Sequence, residues 1–237
     1  MYGSLTDETF NDENVCLVVS QNSVTLQNFG AAQDVALKYP YGDIVKSRSQ
    51  HPTMRSICDQ PSRSSEGSCH IREPPAYKKS PTVATLINQY GIGKPFDYNM
   101  VIRQIIHNCS DEDYVNKVMA DTRMNRVNHF RSSLNNLLIE LTHDHSKYLN
   151  LVLIPAGIGC SGRITPEWLL EYLPEIYYFG KELKALGKEC LIVCKENYLN
   201  VLSHKYNDNT EASTAFKKFK TLPVTDIYTY SDVFKTK

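Results

Sequence analysis

Gly157, Gly159 and Gly162 fall inside the eight residues 155–162 of the stretch LNLVLIPAGIGCSGRITPEW, 149–168. Glycine has no Cβ, so a backbone built this way can approach a ligand closely. Thr165, Pro166 and Glu167 follow at once. They read as a hydroxyl N-cap, a proline at the first helical position and an acid in the first turn. Free N–H groups at such a helix start favour an anion such as a phosphate. A plain tight turn between strand and helix satisfies the same spacing, because glycine patterns recur by chance. The chemistry on offer is non-covalent: an anion held by backbone donors.

Other reactive residue types are fewer. Cys160 lies in the glycine loop beside the helix start, where a thiolate is favoured, but no neighbouring histidine is identifiable as its base. His143-Asp144-His145 has a metal-like look; two histidines in a turn without further ligands read as surface groups, and neither metal nor cofactor is expected. Phe29, an aromatic in a glycine-bearing loop, is suited to stacking on a ligand or sealing the core. Lys217-Lys-Phe-Lys220 reads as a solvated basic face, with an RNA contact as the lesser reading. Asn108-Cys-Ser110 matches a glycosylation sequon that an intracellular chain would not use.

The elements that must position these groups show in the hydrophobic pattern. Residues 149–154 contain a continuous apolar run, as a strand buried on both faces of a parallel sheet requires. Residues 15–19 (VCLVV) form a second such run. After the connection QNSVTLQNFG, Ala32, Val35, Ala36 and Tyr39 recur at helical spacing and Pro40 stops the helix. Residues 82–89 (TVATLINQ) read as a third strand, followed by Tyr90-Gly-Ile-Gly-Lys-Pro95. Short strands are expected at 2–5 and 69–72, and a surface loop at 54–67. The pattern also suggests helix at 44–49 and 97–108.

Residues 111–141 read as mostly helix. Met124, Val127, Phe130, Leu134, Leu137, Leu138 and Leu141 form its core stripe, with Arg126, Arg131 and Glu140 off it. A helix over 166–185, a C-cap at Gly187 and a strand at 190–194 (CLIVC) complete the alternation. A further strand is expected at 226–233. This predicts an α/β fold: a three-layer α/β/α sandwich on a mixed, largely parallel central sheet. One domain spans 1–195, with a polar insertion at about 46–80, and 196–237 is a C-terminal extension.

Composition sets bounds. The 237 residues suffice for one large domain, and 41% hydrophobic with 22% charged residues mark a globular chain. Lys plus Arg and Asp plus Glu are 26 each, so no net field steers the chain to nucleic acid or an anionic membrane. The first ten residues, MYGSLTDETF, lack the form of a secretory signal, and no apolar run is long enough to span a bilayer. Seven cysteines without framework spacing, Cys16, Cys160, Cys190 and Cys194 among apolar runs, suggest reduced thiols. An intracellular location, cytoplasmic or nuclear, is the expectation.

Three loops, each following an interior strand, are expected to converge at one sheet edge, where open α/β sheets bind ligands. Their wording resembles the macrodomain family. The best match is the branch containing the yeast-type ADP-ribose-1''-phosphatase and the terminal ADP-ribose protein glycohydrolases. VVSQNSVTLQNFGAAQDVALKYP, 18–40, has that branch's Asn-containing turn, Gly-bearing segment and helix ending in Ala36-Leu-Lys-Tyr-Pro40. Ile154-Pro-Ala-Gly-Ile-Gly-Cys-Ser-Gly162 before Trp168 resembles its second glycine pattern, and Leu86-Ile-Asn-Gln-Tyr-Gly-Ile-Gly93 its third loop. Gly3-Ser4-Leu5 sits where the family has Gly-Asp-Leu or Gly-Asp-Ile. The likeness covers roughly 2–195.

The resemblance implies binding of ADP-ribose or ADP-ribosylated protein, with hydrolysis of ADP-ribose from protein or removal of its terminal phosphate as the branch's activities. A non-catalytic interaction module with a degenerate nucleotide cleft is the alternative. Implied ligand-side residues are Ser4 and Leu5 for adenine, then Asn22, Asn28, Phe29, Gly30 and Ala31 for the distal ribose and phosphate. Gln89, Tyr90, Gly91 and Gly93 would close over the diphosphate. Ala156, Gly157, Ile158, Gly159, Cys160, Ser161, Gly162 and Arg163 would cradle it. Asn22 would bond a ribose hydroxyl or simply cap the turn. A side chain added at Gly159 is expected to occupy the phosphate position with little effect on the fold.

Departures from the pattern carry chemistry too. Ser4 replaces the aspartate that reads adenine. Asn28 and Phe29 replace two glycines of the first loop. Gln89 or Tyr90 stands at the lysine position of the glycohydrolases, and Arg163 near their aspartate. An amide forms no Schiff base with an opened sugar, and arginine is no general base at neutral pH. Catalytic residues are therefore left unassigned.

Overall fold

Strand β1 (Val15–Asn22) is buried along almost its whole length, as a run apolar on consecutive positions must be. The computed structural model describes residues 4–23, 30–40, 64–76, 78–90, 112–159 and 165–194. The remaining elements are α1 (Ala31–Lys38), β2 (Cys69–Arg72), β3 (Thr82–Gln89), α2 (Glu112–Ala120), α3 (Arg123–Thr142), β4 (Leu151–Pro155), α4 (Pro166–Ala185) and β5 (Glu189–Val193). Short 3₁₀ turns occupy Glu8–Phe10 and Asp144–Ser146.

The strands form one five-stranded sheet in the order β2-β3-β1-β4-β5. β3, β1, β4 and β5 are mutually parallel, and β2 lies antiparallel at the β3 edge. Mixed but largely parallel is the arrangement expected from the sequence, and helices cover both faces. Alternate residues divide the core. Cys16, Val18, Ala84, Leu86, Val152 and Ile154 face α3 and α4, meeting Phe130, Leu134, Trp168, Tyr172 and Ile176. Leu17, Val19, Val83 and Leu153 face the other way, toward α1 (Ala32, Val35) and the N-terminal residues Leu5 and Phe10. Burying each large side chain contributes about 1.5–3 kcal/mol.

Helix α4 begins and ends where its sequence signals stand. Thr165 Oγ1 accepts from the Trp168 N–H at 3.1 Å and Pro166 follows it. At the far end Gly187, at φ 74°, donates to the Lys184 carbonyl and Lys188 to that of Leu183, a left-handed stop suited to glycine.

The N-terminal half differs from expectation in two places. Ser4 and Leu5 belong to a turn, not a strand; Asp7 N donates to the Ser4 carbonyl at 3.0 Å, and Leu5 is drawn into the core. The helix expected over 111–141 is broken at Asp121-Thr122, because Thr122 Oγ1 accepts from Asn125 N and starts α3 afresh. The stripe on α3 is real from Val127 to Leu141, but its first turn is rotated. Met124 is 71% exposed, whereas Arg126 is 1% exposed. A paired arginine is tolerated inside, and Asp121 supplies the pairing. The readings at 44–49, 54–63, 97–108, 108–110, 217–220 and 226–233 lie outside the described residues.

Candidate functional site at the C-terminal edge of the sheet

Because β1, β3 and β4 run parallel, the segments that leave their C-terminal ends emerge at one edge. The chain steps from β1 outward to β2 and β3, then crosses back to β4 on the other side of β1. The topological switch point therefore lies between β1 and β4, where open α/β sheets take ligands. The register reinforces it: β1 pairs with β4 at Val15, Cys16 and Leu17, but with β3 as far as Asn22.

After β4 the chain turns sharply. Ala156 N donates to the Val193 carbonyl at 2.7 Å, and Ile158 N to that of Pro155 at 3.0 Å. Gly157 and Gly159 have φ of 87° and 79°, values that L side chains resist. Gly159 N reaches Ser20 Oγ on β1 at 3.4 Å. The Trp168 indole donates to the Ile158 carbonyl at 2.7 Å, tying α4 to the turn. These bonds use the N–H groups of Ile158 and Gly159 within the protein.

Gly159 does not play the expected part. A Cβ built there meets Tyr172 Cε1 at 2.5 Å and Asn88 Nδ2 at 2.8 Å. The missing side chain points into the core, so its absence lets the turn sit down on Tyr172 and Asn88. Gly30 behaves oppositely: at φ 54° its built Cβ meets nothing within 4 Å. It opens α1 and, lacking a side chain, supplies no cap, which leaves first-turn donors for another acceptor.

The end of β3 is held by a buried network. The register passes from Gln21↔Ile87 to Asn22↔Gln89, so Asn88 is an extra, bulged residue. Asn88 is fully buried with neither amide atom hydrogen-bonded. Next to it Gln89 Oε1 accepts from Arg126 Nη1 at 3.2 Å, and Tyr90 N donates to Asp121 Oδ1 at 3.3 Å. Asp121 and Arg126 form a bidentate pair, Nε to Oδ1 at 2.8 Å and Nη2 to Oδ2 at 2.6 Å. The Tyr90 ring is buried, with Lys117 Nζ 5.9 Å from its centroid.

Of the other expected site residues, Asn22 is buried at the end of β1, and Ala31 begins α1 half-buried. Ser4 is half-buried; its Oγ lies 2.9 Å from Thr6 Oγ1 and accepts from Thr6 N. Leu5 packs with Phe10 and Val15. Asn28, Phe29, Gly91, Gly93, Cys160, Ser161, Gly162 and Arg163 lie outside the described residues.

Glu66, from the stretch before β2, also reaches this edge. Its carboxylate accepts from Ser23 Oγ, one residue beyond β1. No sequence signal marked Glu66, Asn88 or Ser20; the Asp121–Arg126 pair had only a faint one, an acid and a base flanking the N-cap threonine.

Burial pushes the Cys16 thiol up to about 12 and the Cys194 thiol up to about 11, and raises those of Cys69 and Cys190 as well. Held protonated, these thiols are poor nucleophiles. Burial also raises the Glu171 carboxyl, against the opposing charge of Arg123. His143 and His145 stack at 5.6 Å on the exposed surface, and no group of metal-ligating side chains occurs among the described residues. No described helix is long and apolar enough to cross a membrane. No protein-family model matches the chain, and neither does any curated protein.

Proposed function

We propose that the C-terminal edge of the sheet binds ADP-ribose or a closely related nucleotide diphosphate. One observation carries the reading: β1, β3 and β4 end at a single edge at a topological switch point, with the glycine turn of 157–159 after β4 and α1, which Gly30 opens without a side-chain cap. A crevice of this kind with helix-terminal donors suits a diphosphate, and the sequence resemblance supplies the sugar and base. Since Ile158 and Gly159 already donate internally, the first-turn N–H groups of α1 carry more of the anion than the glycine turn does.

For activity, the chemistry favours a slow hydrolase over a lysine-dependent one. Gln89 is engaged by Arg126, and an amide so held is neither nucleophile nor base. Release of ADP-ribose from protein, or of phosphate from ADP-ribose-1''-phosphate, would then rest on an oriented water. The second reading is a binding module without catalysis, favoured by the internal use of the turn's donors.

Calorimetric titration with ADP-ribose tests the binding, with Gly30→Val as the comparison. The wild type should release or absorb heat saturably, and the variant, whose added side chain enters open space, should bind at least tenfold more weakly. A flat wild-type titration refutes the reading. With binding present, incubation with mono-ADP-ribosylated protein and with ADP-ribose-1''-phosphate separates hydrolase from module. Rapid release trapped as a covalent lysine adduct would overturn the water-based route.

A further inference from the structure

Glu66 differs from the acids that the fold pairs with a lysine or arginine. The carboxylates of Glu8, Glu13, Asp121, Asp144, Glu171 and Glu175 each lie near a lysine or arginine. Glu66 is half-buried and has no cationic partner among the described residues; its bond is to Ser23 Oγ, and Ser23 itself is fully buried.

Its position is not an accident of a loose loop. Gly67 N donates to the Ile87 carbonyl at 2.6 Å and Ile87 N to the Ser68 carbonyl at 3.0 Å, extending the β2–β3 ladder past the end of β2. Asn136 Nδ2 donates to the Gly67 carbonyl at 2.8 Å from α3. Gly67 takes φ +85°, and a Cβ there would lie 3.1 Å from Ser132 Cβ. Ser23 N donates to the Gln89 carbonyl at 2.9 Å, so Ser23 marks the top of the β1–β3 seam. To reach its hydroxyl, Glu66 spans the last residues of β3, from the β2 side to the β1 side. The carboxylate thus stands over the C-terminal ends of two parallel strands, on the ligand-binding edge.

We propose that Glu66 is a sugar-reading residue of this site, accepting hydrogen bonds from the vicinal hydroxyls of the ligand's distal ribose, the sugar that ADP-ribose has and ADP lacks. A carboxylate fixed by Ser23 through one oxygen keeps its second for a donor, and a diol supplies neutral donors without needing a cation. An anionic group at the same place would be repelled, so the phosphates lie away from Glu66, toward Gly30 and the start of α1. The proposal rests on the nucleotide reading above and assigns which end of the ligand meets β1 and β3.

The experiment compares ADP, ADP-ribose and ribose 5-phosphate by calorimetry on the full chain, for wild type, Glu66→Ala and Glu66→Gln. Glu66→Ala should weaken ADP-ribose about tenfold or more, the usual effect of losing a charged acceptor, and leave ADP within twofold. Glu66→Gln keeps an acceptor for Ser23 and should fall between the two. Equal weakening of ADP and ADP-ribose, or no change in either, overturns the proposal; the first would make Glu66 a loop anchor only. If the wild type binds neither nucleotide, the nucleotide reading fails, and Glu66-dependent binding of ribose 5-phosphate alone would still uphold the sugar site. Absence of Glu66-dependent binding of any ribose ligand refutes it.

Discussion

Replacing Gly159 with alanine tests the packing of the turn after β4 more sharply than any change in the crevice. Glycine stands there at φ +79°, and the built Cβ lies 2.5 Å from Tyr172 Cε1 and 2.8 Å from Asn88 Nδ2. Holding an L-residue in so sparsely populated a conformation costs about 1–3 kcal/mol. Forcing a methyl against a buried ring and amide adds about 1–3 kcal/mol. The sum, about 2–6 kcal/mol, is a large part of the roughly 5–15 kcal/mol that holds an ordinary domain. At roughly 2–4 °C per kcal/mol, the melting temperature should fall by about 4–24 °C. Gly30→Ala is the control: also at positive φ but with nothing within 4 Å, it should show the strain alone, about 1–3 kcal/mol. Adding Tyr172→Leu should return part of the Gly159→Ala loss, because the two residues share the clash. Scanning calorimetry of the four proteins reads this directly. If Gly159→Ala melts no lower than Gly30→Ala and is indifferent to Tyr172, the turn does not sit on the core as described.

Three further outcomes follow from buried polar groups. Arg126→Met removes the guanidinium paired with the Asp121 carboxylate, 6% exposed, and should cost about 3–5 kcal/mol in urea unfolding; Asp121→Asn on the same background should recover much of it, and equal single and double losses would count against the pair. Asn88→Leu removes an amide with no hydrogen bonds and should stabilise by about 1–3 kcal/mol, whereas a loss would reveal a bound water or other partner. Lys188 is buried, donating to the Ser146 and Leu149 carbonyls at 3.2 and 2.7 Å, and burial lowers its pKa from 10.5. The unfolded chain therefore holds that proton more tightly, so Lys188 favours folding increasingly as pH rises from the folded pKa toward 10.5. The stability difference between wild type and Lys188→Met should shift toward the wild type across that window; a difference independent of pH would sink the assignment.

What the chain settles locally and what it settles only when folded divide along a physical line. Short apolar runs bounded by turn residues suit interior strands, so VCLVV and LVLI marked β1 and β4, and the β-branched and apolar residues of TVATLINQ marked β3. Thr165-Pro166 and Gly187 likewise bounded α4, since caps act within a few residues. The parallel sheet, and hence the gathering of three connections at one edge, followed from the alternation of strand and helix. Groups that act across the fold left no such trace. Arg126 sits where helical periodicity puts solvent, and only the approach of Asp121 around the N-cap lets it turn inward. What the Gly159 Cβ would meet depends on where Tyr172 of α4 and the bulged Asn88 lie, and Asn88 comes from a strand far away in sequence. Glu66 came from a polar stretch that reads as surface, and reaches Ser23 only because the β2–β3 ladder carries it over the sheet edge. Short-range signals set the elements; long-range hydrogen bonds and packing decided which side chains meet at the site.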